Sequence, residues 1–313
     1  MPEPTAPGGS GPLTVDRERM NDDLTSRLAA RLAELRRPLR EIPLADYPEF
    51  TGYTRADVYD GLQGQGGLFL ASDMAKMLTL SAGMKVLDLA CGRGSTSVFL
   101  ARKYGVRVYA VDESPADTLI ERARAAGVAE LITPVQADCR HLPFPAEDFD
   151  AIFCMNSLFY FGTDDFYPPY ILSFLKPGGD LVVGSPCYRE ELTDDTPDEF
   201  LLEFPACHAV HSPGWWESHF EKSKQAVVLH SELHPRGVEF WEDRVKFLLD
   251  TQKVSEMTEG KRQMLHDIVR MLARDHDGFV SHFMLHVKKN QTDDVGKSAF
   301  TIQTLLRTSE RGD

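Results

Sequence analysis

Asp88 precedes Gly92 by four residues and Gly94 by six in the run Val86-Leu87-Asp88-Leu89-Ala90-Cys91-Gly92-Arg93-Gly94-Ser95-Thr96. Val86, Leu87, Leu89 and Ala90 around a single acid read as a buried parallel strand. The small residues read as a turn, and Val98, Phe99 and Leu100 as part of the helix that follows. Strand, glycine turn and helix form the unit that binds nucleotides at the carboxyl edge of a doubly wound sheet. The acid bears on which nucleotide. A dinucleotide fingerprint asks for a third small position three residues after Gly94, where Ser97 stands. More important, a carboxylate at Asp88 would face the place of a pyrophosphate, and like charges there are unfavourable. A cationic ligand without phosphate suits the acid. S-adenosylmethionine (SAM), with its sulfonium and ammonium groups, is such a ligand, and the glycine turn then serves close approach of the backbone.

Two more acids extend the pattern. Asp112 ends the second apolar run, 20 residues after Gly92, the spacing at which a carboxylate meets ribose hydroxyls in such sheets. Asp138, after the third run, can accept from an adenine amino group or serve as a turn or cap acid. Methyl transfer from a sulfonium is an in-line displacement, for which a protein orients the acceptor and excludes water. Aromatic faces near the sulfur disperse positive charge. Tyr53, Tyr59, Phe159, Tyr160, Trp215 and Trp216 are the candidates, with core packing as the competing role for each. Where the nucleophile needs a base, His211 is the first candidate and His208 the second, against a turn or capping role. His211 and Tyr160 are thus the candidate catalytic residues, and Tyr53, Tyr59, His208, Trp215 and Trp216 the candidate acceptor contacts. Cys207, His208, His211 and Glu217 match no closed zinc spacing, so no metal is expected.

The elements that must position these residues follow in order. Residues 1–14 read as a disordered tail. Leu24, Leu28, Leu32, Leu35 and Leu39 give a helical stripe over Val15 to Leu39, a packing or dimer helix that makes a homo-oligomer conceivable. The aromatic, glycine-rich stretch from Tyr47 to Gly67 suits a lid over a ligand or a plain connection. Ser72 is expected to cap a helix through Leu80. Strands are expected near Lys85, over Val106 to Val111, Leu131 to Gln136, Phe149 to Asn156, Asp180 to Gly184, Ala226 to His230 and Gly278 to Lys288. Helices are expected over Ala116 to Ala126, up to Leu175, over Trp241 to Asp250 and over Lys261 to Ala273. Lys176-Pro177-Gly178-Gly179 reads as a turn. Phe300, Ile302, Leu305 and Leu306 suggest a short docking helix in a weakly ordered tail.

Taken in register, Val86 to Thr96, Val108 to Asp112, Gln136 to Asp138, Leu142 to Asn156 and Leu175 to Gly179 resemble the motif series of class I SAM-dependent methyltransferases, over residues 72–185. The chain is similar to their cyclopropane-synthase-like subgroup in Tyr53-Thr54-Arg55, in Tyr160-Phe161-Gly162-Thr163-Asp164 and in His211-Ser212-Pro213-Gly214-Trp215-Trp216. The resemblance implies an α/β fold: a Rossmann-like, doubly wound sheet of seven strands with the last antiparallel. An N-terminal helical lid and helical insertions before and after the sixth strand would complete it. The implied organisation is a helix and lid over 15–71, a catalytic domain over 72–290 with an acceptor-site insertion at 187–224, and a tail over 291–313. The resemblance also implies that Asp88, Gly92 and Gly94 line the methionine end of SAM and that Asp112 binds ribose. Asp138 and Cys139 would border adenine, with Asn156 near the methionine carboxylate or the acceptor.

Composition bounds the rest. The 313 residues are 42% hydrophobic and 26% charged, ordinary for a globular protein of one large domain or a domain with a sub-domain. A net charge of −14 disfavours general binding to nucleic acid or anionic membranes. No apolar run approaches a membrane span, and the first residues lack the pattern of a secretory signal. Five cysteines without a Cys-x-x-Cys pair favour a reducing, cytoplasmic setting. The expected activity is methyl transfer from SAM to a small molecule at O, N or C. A nicotinamide-dependent oxidoreductase and a SAM-binding module without turnover are the alternatives.

Overall fold

The computed structural model describes residues 26–35, 37–60, 64–114, 117–196, 207–274 and 278–291. The expected tail over 1–14, the start of the helix from Val15 and the apolar tail beyond 291 lie outside these residues.

Seven strands form one sheet: β1 (Lys85–Leu89), β2 (Arg107–Asp112), β3 (Ile132–Gln136), β4 (Phe149–Met155), β5 (Leu175–Tyr188), β6 (Ala226–Leu233) and β7 (Val280–Lys289). Their order is β3-β2-β1-β4-β5-β7-β6. Neighbours from β3 to β5 run parallel, while β7 is antiparallel to both β5 and β6. The expected doubly wound sheet with an antiparallel last strand is therefore present.

Alternation along the central strands builds two apolar layers, because successive side chains leave a strand on opposite faces. In β4, Phe149, Ile152 and Cys154 join one layer and Ala151, Phe153 and Met155 the other. The first layer is covered by α6 (Tyr167–Ser173), α7 (Pro213–Glu221) and α9 (Glu259–Arg274). The second is covered by α3 (Gly67–Lys76), α4 (Ser95–Tyr104) and α5 (Asp117–Ala125). α8 (Gly237–Thr251) feeds both, through Trp241 to the first and Phe240 to the second.

Before the sheet lie α1, over residues 26–34, two 3-10 turns and the short α2 (Arg55–Tyr59). Leu28 of α1 is buried in the chain's own core and Leu32 packs beside it, so the described part of this helix spends its apolar stripe internally. Residues 37–60 are bound to α8 by charge. Glu242 accepts from Arg37 and Arg40 at 2.8 and 2.5 Å, and Asp243 from Arg55, the Tyr59 hydroxyl and the Ile42 amide.

Two expectations change. The helix placed from Ser72 to Leu80 is Gly67–Lys76, and Ser72 lies buried inside it, its hydroxyl donating to Glu49 rather than capping. Lys176 to Gly179 lies within β5 as a register shift, between the pairs Phe149–Leu175 and Ala151–Asp180.

Candidate active site

A cavity of about 890 Å³ opens at the carboxyl ends of the parallel strands. Its floor is the turn after β1 (Ala90, Cys91, Gly92), with Asp112 and Glu113 from β2 and Asp138, Cys139 and Arg140 after β3. Asn156, Ser157 and Phe159 to Phe161 after β4, Pro186 of β5, Trp241 of α8 and one side of α9 form the rest of the wall, and Gly64 and Gln65 close a corner. Ala90 and Asn156 sit at φ 52° and 55°, the left-handed region, just where β1 and β4 end. For a non-glycine residue that conformation costs on the order of 1 kcal/mol, and here it bends the chain sharply at the cavity floor.

Asp88 reaches the cavity but is only 1% exposed. Leu87 and Leu89 enter the layer of α6 and α9, so Asp88, one residue out of phase, points to the α4 side. There Ser97 donates its hydroxyl to Oδ2 at 2.5 Å. Burial pushes the Asp88 carboxyl up to about 7, the Ser97 hydrogen bond opposes this, and the charge of Asp112 adds to it. The acid expected to present a permanent charge therefore carries a conditional one, because desolvation outweighs its single strong donor.

Asp112 is held by backbone. The Gly92 amide donates to Oδ2 at 2.9 Å and the Ser114 amide to Oδ1 at 3.1 Å, which fixes the carboxylate over the turn. Gly92 itself is at φ +56°, and no atom lies within 4 Å of where a Cβ would stand. Asp138 accepts the Arg140 guanidinium fork on both oxygens, and this partner holds its carboxyl down at about 2. Burial pushes the Cys139 thiol up to about 12, so it lines the wall as a neutral group. Asn156 donates Nδ2 to the Gln65 carbonyl at 2.9 Å, while its Oδ1 is buried with no donor among the described residues. A Cβ at Gly64 would stand 2.3 Å from that Nδ2, so this corner closes only over glycine.

Gly94 does not line the cavity. A Cβ there would meet Leu119 Cδ1 at 1.9 Å, so Gly94 serves the packing of the helix start against α5.

Of the aromatic and histidine candidates, Phe159 and Tyr160 line the cavity. Tyr59 is buried with its hydroxyl on Asp243. Tyr53 packs on Phe50 beneath the Arg102 guanidinium. His208 is exposed away from the cavity. His211, Trp215 and Trp216 belong to the start of α7, which packs on β6 and β7 at the edge of the sheet farthest from β3. Ser212 caps that helix by accepting from the Trp215 amide at 3.3 Å, and Pro213 occupies its first turn. His211 donates Nδ1–H to Glu191 at 2.9 Å and stacks on Trp215 at 3.8 Å, and Trp216 is 1% exposed in the core. The motif that suggested an acceptor site is thus a helix cap with its packing aromatics.

The wall that the sequence reading missed is α9. Gly260, Met264, Asp267, Ile268 and Met271 recur at helical spacing on its cavity side. That periodicity was visible in the sequence, but it reads equally well as ordinary core packing.

Residues 86–179 match the model of the methyltransferase domain family. This segment is similar to a methyltransferase domain. Methyltransferase GfsG of Streptomyces halstedii is 30% identical over 132 residues, which are 42% of this chain and 48% of GfsG. Phosphoethanolamine N-methyltransferase 1 of Zea mays is 29% identical over 128 residues, 41% of this chain and 26% of the maize protein. The chain therefore spans less than half the length of these curated relatives. Among solved structures, Haemonchus contortus phosphoethanolamine N-methyltransferase 2 in complex with SAM superposes with a TM-score of 0.63 at 18% identity, covering 80% of this chain and 60% of that one. This likeness is one of fold. The ligand in that Haemonchus contortus structure is SAM, and neither the nicotinamide-dependent alternative nor a module without turnover draws support from these relatives. The residues present fit that cofactor: open space over Gly92, a carboxylate fixed by two amides, and an orphaned amide oxygen on the same cavity.

Proposed function

We propose that this protein transfers a methyl group from SAM to a small-molecule acceptor. The observation that carries the reading is a single cavity joining the glycine turn of the methyltransferase domain to a largely apolar wall made by Phe159, Phe161, Trp241 and α9. A bound SAM would supply an activated methyl carbon.

In this reading the chain's own residues do three things. Gly92 and Asp112 hold the nucleoside, with Asp138 and Cys139 at the base and Asn156 Oδ1 accepting from a donor at the methionine end. Asp88, at the floor, offers negative charge to a cation and gains ionisation from it. The apolar wall excludes water and presents the acceptor to the methyl group. No histidine among the described residues lines the cavity, so a nucleophile that needs a base meets carboxylate there, and Tyr160 is left as a contact rather than a proton acceptor, since burial raises its hydroxyl further.

No helix among the described residues is long and apolar enough to cross a membrane. Cys91, Cys139, Cys154 and Cys187 are free and buried, which supports a reducing, cytoplasmic setting. The same acidic balance that the sequence shows supports a small metabolite, not a nucleic acid, as partner. Calorimetric titration tests the cofactor reading. S-adenosylhomocysteine and SAM are expected to bind one per chain, NADH is expected not to, and Asp112→Ala should weaken SAM by about tenfold or more. Binding of NADH with no uptake of SAM would overturn it.

A further inference from the structure

The acceptor side of the cavity has a polar composition that narrows what it takes. Asp267 sits midway along the cavity face of α9, between Met264, Ile268 and Met271. Gln263 Nε2 donates to its Oδ1 at 2.9 Å, and His266 Nδ1 approaches the same oxygen at 3.1 Å. Both fall on Oδ1, and neither reaches Oδ2. Trp241, which lines the same cavity and is 3% exposed, has a buried indole N–H with no acceptor among the described residues. The Asp267 side chain is partly exposed, so Oδ2 is open to a ligand beside the methionines and isoleucine, and the buried indole donor is costly unless a ligand completes it.

Charge narrows the choice further. Asp88, Asp112, Glu113, Asp138 and Asp267 line the cavity against Arg140 and Arg270, and Arg140 is closed bidentately on Asp138. A phosphate carried into this space would meet like charge in a partly desolvated setting.

We propose that the acceptor is an uncharged, largely apolar molecule bearing a hydroxyl, whose hydrogen is bound by Asp267 Oδ2 and whose oxygen function is met by the Trp241 N–H, and that Asp267 sets specificity by turning phosphorylated acceptors away. The inference rests on the methyl-transfer reading above and names the acceptor class of that same site. It runs against simple transfer from the maize and nematode relatives, whose names specify phosphoethanolamine.

Three probes with one apolar tail test it on the full chain saturated with S-adenosylhomocysteine: 4-butylphenol, 4-butylanisole and 4-butylphenyl phosphate, titrated by calorimetry. The expected order of affinity is phenol, then anisole, then phosphate, with about tenfold between the first and last. Asp267→Ala should remove the lead of the phenol over the anisole, and Asp267→Asn should narrow the rejection of the phosphate. Phosphate binding as tightly as the phenol, binding by none of the three, or an order untouched in both variants would each overturn the inference. Failure of S-adenosylhomocysteine to bind would instead strike the cofactor reading, so the two failures are separable.

Discussion

Asp88 shows how much one side chain's surroundings decide. Burial pushes its carboxyl up to about 7, so a cation settling on the turn at neutral pH should draw a proton off it. Calorimetry of SAM binding at pH 7, repeated in two buffers of different ionisation heat, should register release of a fraction of a proton. Asp88→Asn should abolish that release and weaken SAM. Equal apparent enthalpies in both buffers for the parent protein would remove Asp88 from the cofactor. The two glycines of the turn separate in the same way. Gly92→Ala meets open space and bears only the strain of φ +56°, roughly 1 kcal/mol, so it should fold and lose SAM affinity. Gly94→Ala drives a methyl into Leu119 and should lower the melting temperature first. For His211, paired with Glu191 and stacked on Trp215, the substitution His211→Ala should leave turnover within about twofold and lower stability by about 1 kcal/mol. A hundredfold loss of turnover at unchanged stability would return it to the site.

At the level of elements, α8 is both a cavity wall and an anchor for the N-terminal segment. Asp243 is fully buried and accepts from Arg55, Tyr59 and the Ile42 amide. Asp243→Ala would leave a guanidinium, a hydroxyl and an amide without their acceptor, at a cost of about 3–5 kcal/mol. Thermal unfolding and limited proteolysis between residues 37 and 60 should both report it, and an unchanged melting temperature would refute the anchor. The strands and the glycine turn were legible in the sequence because a buried strand is a short apolar run and a sharp turn needs small residues. Asp112 was legible because its distance from the turn is set by one helix and one strand. The wall made by α9 was not. It lies some 170 residues beyond the turn, and its spacing of Met264, Ile268 and Met271 says only that one face is buried, not against what. The aromatics of α7 misled for the complementary reason: Ser212-Pro213 followed by two tryptophans is as good a helix start as it is a binding motif.

Over the whole molecule, two buried groups oppose each other in pH. Asp88 has a folded pKa above its unfolded one, so its contribution is fully present below about 4 and lost as pH rises to about 7, on the order of 4 kcal/mol. His282 is fully buried and donates Nδ1–H to the Gly237 carbonyl, and burial pulls it down to about 3. Its contribution is present above about 6.5 and lost as pH falls towards 3, of similar size. Stability should therefore be flat between about pH 4.5 and 6.5, and Asp88→Asn should tilt that plateau so that stability falls with acidification. Chemical denaturation at several pH values reads this directly, and parallel profiles for the two proteins would exclude it. The place of β7 between β5 and β6 reaches into biosynthesis. As the chain leaves the ribosome, β6 emerges with no neighbour to pair with, because the strand that joins it to the sheet is translated some fifty residues later. Until then the nascent protein holds a finished nucleotide floor beside an unpaired ribbon, and a chaperone that shields exposed edges has most to protect in that interval.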